Sequence, residues 1–488
     1  MLNRRMLLNS GLATAGVGLT GAALVPLLTA RDANADATAT GAAPAPAPEL
    51  FRVPLPVPPV LSPVSTAGGV DVYRMTMRRA VREILPGMST EVLTFNSSFP
   101  GPVIRARSGR PVIVHQRNLL DVPTSVHLHG ASTSQHNDGK PMETIAPRDT
   151  RTYLYPNRQP HASLWYHDHA HHLESENVYR GLSGTYLLTD TIERRLPLPT
   201  GVHDLPIAIR DAHFDDAGQL VYTMGDRARQ TLLANGVPYP YLQVAARKYR
   251  FRLLNSANVR SLKLRLADGS PIVHIGSDGG LLPRPNPTES VFLSPGERAD
   301  VVIDFSRYPV GTQLVLQNTT GAGPADLIGQ VLRFDVTHTA YDPSEIPAEL
   351  RTLPPLPKPT AERTITLSMD EGGTGTTPPQ GYIDGKVYAP DRIDSFIRYG
   401  ASEVWTVTNL NKNIPHNLHL HLVQFRVLER NGHSPDAAES GLKDTVMLLP
   451  GETIKLQATF DTFRGAYLYH CHILDHSAMG MMATMKIT

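Results

Sequence analysis

One pattern occurs three times along this 488-residue chain, and that periodicity restricts the fold more than any single residue does. A short turn, a strand, a second strand, an asparagine and an alternating strand run from Phe95, again from Leu232, and again from Tyr382. A second pattern, apolar-x-Pro-Gly-Glu followed by an alternating strand, begins at Leu293 and Leu448, with a weaker copy at Ile145. Three copies of each, in the same order, mean three homologous β domains. The 42 prolines and 38 glycines supply the turns that such an all-β chain needs. The domains are expected at residues 63–195, 200–345 and 360–488, with the Pro-rich stretch 352–360 joining the last two.

The residues ahead of the repeats read as an address. Arg4 and Arg5 stand before Met6, Leu7 and Leu8, a mildly apolar stretch runs from Gly11 to Ala30, and Ala33-Asn34-Ala35 offers a small-x-small cleavage site. Residues 1–35 are therefore expected to be a twin-arginine export signal, giving a secreted, periplasmic or cell-envelope protein. Residues 36–62 form an Ala/Pro-rich leader, either flexible or laid as an arm over the surface. The 46 basic residues nearly balance the 45 acidic ones, so no global field recruits nucleic acid or a membrane surface. No later segment is apolar enough to span a bilayer. With a single cysteine, Cys471, the chain has no intrachain disulfide framework.

The three copies differ where it matters. Copy one has His127-Leu128-His129, copy three has His419-Leu420-His421, and copy two has Lys263-Leu264-Arg265 at the same place. A further cluster occurs in the outer copies alone, as His167-Asp168-His169 and His470-Cys471-His472, so that Asp168 aligns with Cys471. A His-x-His pair on a strand sends both imidazoles to one face, because strand side chains alternate with period two. Chance gives roughly one such pair in a chain with 20 histidines, and four in two homologous domains are poorly explained as ordinary core histidines. Eight neutral imidazoles make a nitrogen cage suited to copper, zinc or iron.

Cys471 breaks that tie. A thiolate with two imidazoles and a weak axial thioether is the ligand set of a blue-copper electron-transfer site. His476 and Met481 follow on what reads as a loop able to fold back around one metal, and His416 supplies the second imidazole. Because Cys471 lies between His470 and His472, an electron there has a short covalent path to the cage. His171 keeps the period-two register after His169 and is read as lying outside the ligand set. The remaining histidines have no partner at ligand spacing and are read as structural or exposed.

The clusters at 127–130, 165–169, 416–421 and 470–482 resemble the four signatures of the multicopper oxidases, in particular three-domain bacterial laccases of the spore-coat and bilirubin-oxidase kind. The resemblance implies three consecutive cupredoxin-like Greek-key β-barrel domains and four copper ions: one type 1, one type 2 and a binuclear type 3 pair. By position, His127 and His419 hold the type 2 ion. His129, His167, His169, His421, His470 and His472 hold the type 3 pair, and Cys471, His416, His476 and Met481 hold the type 1 ion. His476 is the implied entry for electrons from a small aromatic donor, dioxygen is the acceptor, and no oligomer is required. Asp138 matches an acidic residue beside the trinuclear centre that supplies protons, whereas its bland reading is an Asp-Gly turn.

The implied activity couples four one-electron oxidations of phenols, aminophenols or similar aromatics to reduction of dioxygen to water. Specialisation for an o-aminophenol, bilirubin, manganous or cuprous substrate, and a copper-free envelope protein, are the alternatives. Two departures stand out. Ser477 replaces a second acid, shifting proton delivery toward Asp138, and Asn417-Leu418 replaces Pro-Phe or Pro-Ile after the first type 1 histidine.

Overall fold

A computed structural model describes residues 48–371 and 379–488. The expected export signal and the first part of the leader lie outside the described residues. Each repeat folds as two packed sheets, and all three use one topology. In the first, Ser89–Phe95, Asp71–Glu83, Val112–Asn118 and Thr150–Tyr155 lie side by side, facing Gly101–Arg107, Ser183–Thr189, Ala162–Asp168 and Val126–His129. In the third, Gly381–Ile383, Ala361–Met369, Ser402–Asn409, Thr453–Thr459 and Phe425–Arg430 face Ser395–Ile397, Met482–Ile487, Gly465–His470, His416–Leu420 and Thr445–Leu448.

One parallel pair recurs in every sheet of this scheme. Asp71–Glu83 runs parallel to Val112–Asn118, Asp204–Ala212 to Lys248–Asn255, and Ala361–Met369 to Ser402–Asn409. The facing sheets likewise pair Gly101–Arg107 with Ser183–Thr189, Tyr241–Ala246 with Gln330–Thr339, and Ser395–Ile397 with Met482–Ile487. The cupredoxin-like fold thus takes the form of open two-sheet sandwiches rather than closed barrels.

Alternation builds each core. In Leu262–Leu266 the three leucines are buried while Lys263 and Arg265 are exposed. Aromatic residues fill the sandwiches: Tyr73, Phe95, Tyr153 and Tyr186 in the first, Phe251, Phe305 and Phe334 in the second, and Trp405, Phe460 and Tyr469 in the third. Trp405 satisfies its buried indole N–H on Glu403, which also receives Arg363.

The described part of the leader is an arm. Phe51 and Leu55 donate backbone N–H groups to the carbonyls of Tyr239 and Tyr241, Leu55 enters the core of the middle sandwich, and Leu61 then bonds Val103 in the first. Charged groups connect the sandwiches as well. Arg250 and Arg252 of the middle one meet Glu193, which follows the last strand of the first, and Ser163 of the first donates to Asp300 of the middle one. Among the described residues no helix is long and apolar enough to cross a membrane.

Candidate metal centre

The four histidine clusters, far apart in sequence, meet at the seam between the first and third sandwiches. Only His127 and His129 both lie within a strand, Val126–His129. In each other pair the second member lies just beyond a strand end: His169 after Ala162–Asp168, His421 after His416–Leu420, and His472 after Gly465–His470. Period-two alternation therefore places one pair, and the turns at the strand ends place the rest. All eight rings are at most 1 % exposed.

The ring nitrogens sort themselves by hydrogen bonding. His127 donates from Nδ1 to the Asp138 carbonyl (2.6 Å) and His419 from Nδ1 to the Asp444 carbonyl (2.8 Å). This fixes both tautomers and leaves each Nε2 a bare lone pair, with no partner among the described residues. His470 donates Nδ1–H to the Cys471 carbonyl (3.0 Å), and His421 donates Nδ1–H to Asp138 Oδ2 (2.8 Å). Their Nε2 atoms then stand 3.1 Å apart, with His169 Nε2 3.3 Å from that of His470. A second convergence joins His129 Nδ1, His472 Nε2 and His167 Nε2, at 3.1 and 3.4 Å.

Burial holds these rings neutral, with His167, His421 and His470 lowered to about 3. Lone pairs aimed at one another in a dry cavity repel unless a cation lies between them, so the donor set fits metal ions.

Beside the cage, Cys471 Sγ lies 3.6 Å from His476 Nδ1 and 3.9 Å from His416 Nδ1, and those two nitrogens are 3.1 Å apart. Burial pushes the Cys471 thiol up to about 12, so this group holds a thiolate only next to a cation. Met481 is buried in the same core, and its carbonyl accepts the Cys471 N–H. His476 sits not on an irregular loop but in the short helix Leu474–Ala478. The reason is local: the His476 and Ser477 N–H groups close back on the Ile473 carbonyl, turning the chain once before Met481.

Several residues that shape the site had no motif to announce them. Asp444 accepts from His129 Nε2 (2.9 Å) while Arg298, from the middle sandwich, grips both of its oxygens at 2.7 and 2.6 Å. The signal for Arg298 lay in the repeat, where Pro-Gly-Glu is followed by Arg298 in copy two but by Thr453 in copy three. Gly296, at φ +88°, packs against His472 so closely that an added Cβ would fall 2.8 Å from its ring nitrogen. Asn417 donates to Ser294 Oγ and the Pro295 carbonyl of the middle sandwich and accepts the His472 N–H at 2.6 Å. Its Oδ1 lies 3.5 Å from Cys471 Sγ.

Asp138 is a buried carboxyl as well as the residue before a glycine turn. Oδ2 accepts from His421, Oδ1 lies 3.6 Å from His127 Nδ1, and burial raises it to about 6. His171 lies outside the cage, stacked on His172 and edge-on to Tyr388. His161 bonds Asp190 and the Leu281 N–H, as a structural histidine does.

The likeness to known proteins agrees with this geometry. Family models described as multicopper oxidase match residues 76–192, 163–327 and 356–488. The chain is 35 % identical to a laccase of Bacillus stratosphericus, across 90 % of this chain and 99 % of that one. It is also 35 % identical to a bilirubin oxidase of Albifimbria verrucaria, across 90 % of this chain and 81 % of that one. The crystal structure of a laccase from Pediococcus acidilactici superposes with a TM-score of 0.84 at 31 % identity, covering 91 % of this chain and 95 % of the other. With that breadth of likeness and this donor set, the chain belongs to the multicopper oxidase family and is a copper-dependent oxidoreductase of laccase type.

Proposed function

We propose that the protein holds four copper ions and uses them to couple the one-electron oxidation of phenols, aminophenols or similar aromatics to reduction of dioxygen to water. Copper bound in such sets supplies one-electron redox chemistry and the four-electron reduction of dioxygen. In this reading His127 and His419 would hold the type 2 ion through their bare Nε2 atoms. His169, His421 and His470 would hold one type 3 ion, and His129, His167 and His472 the other. Cys471, His416 and His476 would hold the type 1 ion, with the Met481 thioether as the fourth ligand.

The observation that carries the proposal is Cys471 standing between His470 and His472 while its sulfur faces His416 and His476. His476 turns Nδ1 inward and is 8 % exposed, so the other edge of its ring is the contact offered to an electron donor. Asp138 orients His421 and, with a pKa near 6, holds a proton beside the cage in mildly acid conditions.

The paired arginines Arg4 and Arg5 support export by a twin-arginine route, testable by replacing both with lysine and following the protein between cell fractions. For the main proposal, purified copper-loaded protein should contain four coppers per chain, show a blue absorption band, and consume one dioxygen per four electrons taken from a phenolic panel. A colourless protein, or uptake of dioxygen without water as its product, would sink it.

A further inference from the structure

The helix Glu174–Arg180 begins five residues after His169, and the helix Leu474–Ala478 begins two residues after His472. The two repeats thus each send a short helix out from the cage, and these helices pack together. Three buried carboxyls lie in or beside that seam. Asp168 accepts from the Ser125 and Ala170 N–H groups and from Asn177 Nδ2. Asp475 accepts from Ser175 Oγ, the Gly225 N–H and Arg229. Glu174, 1 % exposed, accepts from Ser477 Oγ at 3.1 Å through Oε1, and its Oε2 has no partner among the described residues. A lone buried oxygen is costly to keep, and the other two acids show that this seam can satisfy a carboxylate fully.

We propose that Glu174, acting through Ser477, stores and relays protons for dioxygen reduction at the seam between the two helices that leave the cage. The inference rests on the assignment of the cage histidines given above. Reduction of one dioxygen to two waters takes four electrons, from four donor oxidations, and four protons. In each transfer the Glu174 O–H bond breaks and an O–H bond forms on the oxygen being reduced, by way of the Ser477 hydroxyl or a water. The carboxylate then regains a proton from solvent, which reaches the exposed His172 two residues away. Glu174 is unchanged over the cycle.

The surroundings favour a carboxyl that keeps its proton. Besides Ser477, Asp168 at the end of Ala162–Asp168 and Tyr388 act on it, and Asp475 on the partner helix and His171 and His172 on the preceding turn are the other titratable groups of the neighbouring elements. On its own helix Arg180 is engaged by Glu176 (2.7 Å), and on the adjacent strand Glu91 is engaged by Arg79. Burial, with a smaller contribution from Asp168, raises Glu174 to about 8, so it is mostly protonated at neutral pH.

The test is Glu174→Gln in the copper-loaded protein, with Glu174→Gln/Ser477→Glu returning an acid to the other side of the pair. Copper content and blue absorption should match the parent. Reoxidation of the fully reduced enzyme by dioxygen should slow by about a hundredfold and lose its alkaline limb near pH 8, and the double variant should recover most of the rate. Infrared spectra of the copper-free protein at pH 7 should contain a protonated-carboxyl C=O stretch that disappears in Glu174→Gln. Unchanged reoxidation, loss of copper or colour in the single variant, or no such infrared band would overturn this relay. Failure of the copper assignment itself would show separately, as a parent without blue absorption.

Discussion

Asp168 and Cys471 occupy the same place in two copies of one fold and do entirely different things. Each lies between two cage histidines, and each is followed by a turn into a short helix. The Asp168 carboxylate is closed off by three hydrogen bonds and latches Ser125 and Asn177 to the strand end. The Cys471 sulfur faces two imidazoles whose own protons are directed elsewhere or suppressed by burial. The backbone supplies position in both cases, and the side chain decides whether that position is a latch or a redox terminal.

The middle copy adds a third answer. Lys263 and Arg265, which stand where the outer copies have His127/His129 and His419/His421, point to solvent, yet this copy shapes the cage from outside through Arg298, Gly296 and the loop that Asn417 grips.

The strongest way to break this comparison is Cys471→Ser, which should abolish blue absorption and donor oxidation completely while type 2 and type 3 copper remain. Visible and EPR spectra with oxygen uptake decide it. Next comes Asp444→Ala, which removes the bidentate partner of Arg298 and leaves Asp278 as its only ion-pair partner among the described residues. A stability loss of about 1.5–3 kcal/mol is expected by urea denaturation of the copper-free protein. Gly296→Ala, which drives a methyl group into the His472 ring, should cost about 1–3 kcal/mol and lower type 3 copper occupancy, read by metal analysis.

Asp168→Cys sharpens the comparison. It should cost about 1–3 kcal/mol by removing the acceptor for Ser125 and Asn177, and it should create no second blue band. Thr124 stands where the third copy has His416, so the new thiol would lack its imidazole.

A slope with pH tests Glu174 separately. A carboxyl raised from 4.5 to about 8 binds its proton more tightly folded than unfolded, so Glu174 makes the parent progressively less stable between those values and no further above them. The copper-free Glu174→Gln protein should therefore gain thermal stability relative to the parent as pH rises from 5 to 8. A constant difference across that range would show that Glu174 does not titrate as described.

The sequence by itself determined the three-fold β repeat, the four histidine clusters, the one cysteine placed to connect them and the lack of ligands in the middle copy. These were legible because strand alternation and ligand spacing are local, and because the repeat lets each copy be compared with its neighbours. Tertiary structure alone decided how they combine. Asp138 reaches His421, Arg298 reaches Asp444, and Glu174 reaches Ser477 across 283, 146 and 303 residues, and no periodic signal spans such separations. The leader likewise became an arm only because the middle sandwich offers Leu55 a place in its core and a free run of carbonyls at its edge. His476 joined a helix because one turn is the short way to satisfy its N–H on Ile473. Residue types fix which chemistry is available; the packing of one copy against another fixes which groups share a dry space, where lone pairs, acids and a thiol can no longer rely on water.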